Sequence, residues 1–93
     1  MPYIGRAVDI EFDTVKDSVN RAKHGLSLEF GAEVIIGRVA DLLDPRHSHE
    51  ARRIAYGIVA GRLFVCVYTV RGKVYRIISV RKANKREQRK WQS

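Results

Sequence analysis

A chain of 93 residues and 10.7 kDa has room for one hydrophobic core, so residues 1–93 are read as a single domain. Its 18 Lys and Arg against 10 Asp and Glu give a formal charge of +8, while 45% hydrophobic residues argue against a disordered basic tail. One cysteine excludes an intramolecular disulfide framework and a Cys-rich zinc module, and the absence of a spanning or secretory apolar run points to a cytoplasmic protein.

In chain order, Val8, Ile10 and Phe12 alternate with Asp9 and Glu11, the period of a half-buried strand. Asp13 is placed to cap a helix that carries Val15, Val19 and Ala22 and ends at Gly25. Ser27 caps a second helix, with Leu28, Ala32 and Ile35, that ends near Gly37. Three β-rich runs follow, Arg52–Val59, Arg62–Val70 and Lys73–Val80, joined by Ala60-Gly61 and Arg71-Gly72 at hairpin spacing. The middle run is apolar on both faces and so central. A last helix is expected from Lys82 to Trp91. The fold class is α+β, in the order β-α-α-β-β-β-α, with helices packed on an antiparallel sheet.

The charge is divided unevenly. Residues 1–50 hold six basic and nine acidic side chains, a net of −3; residues 51–93 hold twelve basic ones and Glu87, a net of +11. Such a partition marks a surface for a polyanion or an acidic protein. Lys82, Lys85, Arg86, Arg89 and Lys90 crowd the last helix, where like charges repel unless something anionic offsets them. Arg52, Arg76 and Arg81 fall at or near strands, where a guanidinium needs a partner, either a phosphate or a carboxylate from the acidic half. Simple alternation puts Arg76 with Val74, Ile78 and Val80 on one face, and Arg81 with Tyr75, Ile77 and Ser79 on the other.

Single residues have two readings each. His24 can move a proton near neutral pH, or serve as a cation at a helix end with Lys23 beside it. Tyr68 can fill the core or line a groove. Trp91 can staple the last helix or stack on a base. His47, His49 and Glu50 could hold a metal in an extended segment, but no third ligand set at a known spacing joins them, and a solvated loop is the default. Cys66, with apolar neighbours, reads as an inert buried thiol.

Several stretches together resemble one family. Phe12-Asp13 with Lys16, Asn20, Lys23-His24-Gly25, Ser27 and Phe30 is similar to the amino-terminal signature of the BrnT toxins. Gly61-Arg62-Leu63, Val67-Tyr68-Thr69 and Arg71-Gly72 resemble its central hairpin. Arg76-Ile77-Ile78-Ser79-Val80-Arg81-Lys82-Ala83, with Glu87 and Trp91, resembles its closing segment. Two positions depart from the pattern. Ala51 precedes Arg52 where the family usually has Glu, with Glu50 one place earlier, and Trp91 stands where Tyr is common.

The resemblance implies a RelE-like ribonuclease toxin of a bacterial type II toxin–antitoxin system, a metal-independent endonuclease that needs no cofactor and inhibits translation. It also implies a DNA-binding BrnA-type antitoxin, with operator DNA met only through the complex, and no membrane partner. On that reading His24, Arg52, Arg76, Arg81 and Glu87 are the candidate catalytic residues. Lys23, Tyr68, Lys82, Lys85, Arg86 and Arg89 are candidates for RNA binding. The charge alone is equally consistent with a non-catalytic nucleic-acid-binding module or a protein-interaction domain.

Overall fold

The computed structural model describes residues 8–46 and 51–92. A three-residue strand, β1 (Asp9–Glu11), leads into helix α1 (Thr14–His24). Asp13 caps that helix: its carboxylate accepts from the N–H groups of Val15 and Lys16 at 2.7 and 3.1 Å. These backbone bonds are the main reason its carboxyl sits below the ordinary range. The helix stops where Gly25 turns left-handed, at φ 73°. Ser27 then accepts from Glu29 N–H and opens a one-turn 3₁₀ helix (Leu28–Phe30), which runs on into α2 (Gly31–Ile36). The expected second helix is therefore two shorter pieces. Asp17, buried, ties them to α1 by accepting from Leu28 N–H at 2.6 Å and from the Ser27 hydroxyl at 3.1 Å.

Four strands and a helix complete the chain: β2 (Arg38–Leu43), β3 (Arg53–Val59), β4 (Arg62–Arg71), β5 (Val74–Lys82) and α3 (Lys85–Trp91). The sheet order is β1-β5-β4-β3-β2. The α+β class is as expected, with two corrections. First, β2 is a strand that the expected order lacks; an irregularity between Arg38 and Ala40 breaks its alternation, and most of it is exposed. Second, the sheet is mixed, because β1 runs parallel to β5. The helices carry the chain from one edge of the sheet to the other, which makes that parallel pairing possible.

The hairpin between β3 and β4 turns on Ala60 and Gly61, both at positive φ (51° and 79°), the twist that two-residue hairpins favour. The β4–β5 turn is Gly72-Lys73, one residue later than expected. The last helix begins at Lys85 and not Lys82, because Asn84 and Glu87 form a capping box there.

Each sheet face has its own cover. On one, α1, the 3₁₀ helix and α2 bury Leu28, Val34, Ile35, Ala55, Phe64, Cys66, Tyr68, Ile77 and Val80. β3 passes so close beneath α2 that a Cβ on Gly57 would stand 2.0 Å from the Val34 carbonyl oxygen. The other face is apolar at one end only, where Ala83 and Trp91 pack with Leu63, Val65, Ile54, Tyr56 and Ile58. Beyond that cluster the same face carries Val67, Thr69, Ser79, Arg76 and Glu11.

Candidate functional site

A bulge in β5 decides which side chains share the open face. Val67 pairs with Ser79, yet Tyr68 pairs with Ile77, so Ile78 is an extra residue in its strand. The insertion cancels the odd spacing between Arg76 and Arg81. Contrary to the alternation expected from sequence, both project from the face opposite α1 and α2. Tyr75, Ile77 and Val80 go to the helix side. Arg81 pairs with Val65, which pairs in turn with Tyr56; Arg76 pairs with Thr69 on one side and Glu11 on the other.

Each arginine is held by a carboxylate. Arg81 donates through both terminal nitrogens to the two oxygens of Glu87, each at 2.8 Å. Those bonds hold the Glu87 carboxyl below its ordinary value, so it is an ionised acceptor at neutral pH. Glu87 is fixed in turn by its capping box, accepting from Asn84 N–H at 2.9 Å. Arg81 keeps Nε–H and one terminal N–H uncommitted beyond these bonds and a 3.3 Å contact to the Lys82 carbonyl. Arg76 donates to Glu11 at 3.0 Å. Arg52 lies just before β3, its carbonyl accepting from Asp44 N–H at 2.7 Å. Part of the basic charge is thus neutralised within the fold, as the acidic first half allows.

Two features of this face are not signalled by the motifs. Tyr56 lies on β3 with its ring 5.5 Å from that of Trp91, tilted by 31°. Nearby, Arg46 forms a two-pronged bond to buried Asp44 at 3.0 and 2.9 Å. Burial, and after it the charge of Glu87, raises the Tyr56 phenol above its ordinary value, against the opposing charges of Arg81 and Arg46. The alternation Ile54, Tyr56, Ile58 was a usable signal that Tyr56 shares the α3 side.

His24 closes α1 at the open edge of β5, beyond the reach of β1, which pairs only with Val74–Arg76. It lines a groove of about 220 Å³ with Lys16, Lys23, Ile78 and Ser79. Burial first, then the charges of Lys23 and Arg81, lower its pKa, so the imidazole is neutral at pH 7.

Tyr68 belongs to the core and not to a groove: it is 2% exposed, on the helix face, and its hydroxyl donates to Asp41. Asp41 also accepts from Arg53 at 2.8 Å and pairs with Arg38 at 3.4 Å, a cluster that the missed strand β2 creates. Lys23, Lys82, Lys85, Arg86 and Arg89 are exposed. Lys82 ends β5 and does not share the face of α3. Lys90 sits with its ammonium 5.1 Å from the Trp91 ring centre. Cys66 is buried, and burial pushes its thiol far up. His47, His49 and Glu50 lie outside the described residues. No described helix is long and apolar enough to cross a membrane.

A small α+β protein that turns an arginine-bearing sheet face to solvent has the features of a polyanion-binding protein. The profile of a ribonuclease toxin family, BrnT, of type II toxin–antitoxin systems matches residues 12–87. The chain belongs to that family, one of ribonuclease toxins, which implies an RNA target and an antitoxin partner. Among curated proteins none matches the chain.

Proposed function

We propose that residues 1–93 form one RelE-like domain that acts in the cytoplasm as a metal-independent RNA endonuclease, stopping translation until an antitoxin of the BrnA type covers the site. The observation that carries this reading is the β5 bulge, which sets Arg76 and Arg81 on one open sheet face. Operator DNA would be met only through the complex with the antitoxin.

The chemistry needs a nucleophile already present in RNA, the 2′-hydroxyl. Attack on the adjacent phosphorus concentrates negative charge on the phosphate oxygens, and Arg81 is the donor placed to stabilise it. Glu87 orients Arg81 and leaves two of its N–H groups for the phosphate. Arg76 stands five residues away, up to about 16 Å along an extended strand, so it suits a neighbouring phosphate and not the same one. Arg52 would serve likewise. Neutral His24, at the β5 edge, would take the 2′-hydroxyl proton. Lys23, Lys82, Lys85, Arg86 and Arg89 would follow the RNA backbone with a salt-dependent attraction.

Induced expression in bacteria tests this function. Growth should stop, with RNA cut in the arrested cells, and co-expression of a BrnA-type antitoxin should restore it. Unimpeded growth with the protein folded and abundant would contradict the reading.

A further inference from the structure

We propose that Tyr56 is a catalytic residue of this face, its phenolic O–H donating the proton that the departing 5′-oxygen of the cut RNA requires. The inference rests on the ribonuclease reading and assigns a residue which that reading does not supply. Three observations carry it. Tyr56, Val65 and Arg81 form one cross-strand row, so the tyrosine and the arginine leave the same face two strands apart. Helix α3 fixes both: Glu87 and Trp91, one turn apart on that helix, hold the Arg81 guanidinium at 2.8 Å and the Tyr56 ring at 5.5 Å. The Tyr56 hydroxyl has no hydrogen-bond partner among the described residues, although the side chain is half-buried between charged groups. A phenol packed by its ring and left unbonded at its oxygen is ready for an external acceptor.

The geometry also separates acid from base. His24 lies at the open edge of β5, beside Ile78 and Ser79, and Tyr56 lies on the other side of Arg81, toward β3. An in-line displacement needs its two proton movers on opposite sides of the phosphorus. In the step, the 2′-oxygen bonds to phosphorus as its proton passes to His24. The bond from phosphorus to the 5′-oxygen breaks, the Tyr56 proton goes to that oxygen, and the products are a 2′,3′-cyclic phosphate and a 5′-hydroxyl. Water then reprotonates the phenolate.

The test compares two substrates of one sequence, spanning a site mapped with the wild-type protein: ordinary RNA, and RNA with sulfur in place of the bridging 5′-oxygen. A thiolate leaves without a proton. Tyr56→Phe keeps the ring and its Trp91 contact, so the fold is retained. It should cut ordinary RNA about 100-fold more slowly than wild type, the lower range for general acids. On the sulfur-linked RNA it should match wild type, whereas Arg81→Ala should be slow on both. Equal loss by Tyr56→Phe on both substrates, or no loss on either, would overturn the assignment while leaving the ribonuclease intact. If wild-type protein cuts neither substrate, the ribonuclease reading fails and this inference fails with it.

Discussion

Arg81→Ala should lower kcat/KM for RNA cleavage by about 100- to 1,000-fold, the cost usually seen when one transition-state donor is removed. Most of that loss should appear in kcat, because the charge Arg81 meets develops only during the reaction. Arg81→Lys should recover little, since an ammonium cannot fork onto two oxygens while Glu87 holds it. Glu87→Gln keeps an oxygen for the Asn84 N–H and so preserves the helix cap, but loosens the arginine; its deficit should be smaller than that of Arg81→Ala. The wild-type rate should also fall in acid as His24 takes a proton, with a midpoint below the ordinary imidazole value, and His24→Ala should lose that limb. Initial rates on one labelled RNA, with thermal melts of each variant, decide these points. If folded Arg81→Ala cuts within about 3-fold of wild type, well short of one lost donor, Arg81 is not the donor.

Asn20→Ala should be strongly destabilising although it removes a polar side chain. β1 ends before it can cover the middle of β5, and the Asn20 side chain takes the place of the missing strand. Its amide nitrogen donates to the carbonyl of Val80 at 2.9 Å and its oxygen accepts from Val80 N–H at 3.2 Å, while a second N–H reaches Leu26 at 2.9 Å. Alanine would leave both groups of a buried Val80 unpaired, at about 1–3 kcal/mol each. The summed cost of about 2–6 kcal/mol corresponds to a melting temperature lower by roughly 10–40 °C for a chain of this length. Asn20→Asp should fare no better, since it turns an oxygen toward two carbonyls. A melt shifted by less than about 4 °C, under 1 kcal/mol, would show that Val80 finds other partners.

What the sequence revealed and what it hid have physical causes. The caps at Asp13 and Ser27, the left-handed stop at Gly25 and the Ala60-Gly61 turn are local, so residue type was enough to place them. The start of α3 was equally local, written in Asn84 and Glu87, but the run of basic residues before it suggested an earlier beginning. β2 was hidden because an exposed edge strand with an irregular register shows no clean alternation. The parallel pairing of β1 with β5 is long-range and leaves no mark on either segment. The bulge at Ile78 matters most for the site. One inserted residue reverses the face of every side chain beyond it, so Arg76 and Arg81, assigned apart by period two, share a surface. Tyr68 shows the reverse case: an aromatic whose position in the sequence allows core or groove, and for which the family resemblance implies RNA binding, is a core residue bonded to Asp41. Residue types named the arginines, but only the register showed which of them act together.

In the proposed reaction this sheet face directs the 2′-hydroxyl of RNA against its own phosphate without a metal. The most direct measurement is the end chemistry of RNA cut by the purified chain in excess EDTA. The expected products carry 2′,3′-cyclic phosphate and 5′-hydroxyl ends, formed at an undiminished rate. Products ending in 3′-hydroxyl and 5′-phosphate, or cleavage that stops when EDTA is added, would contradict it.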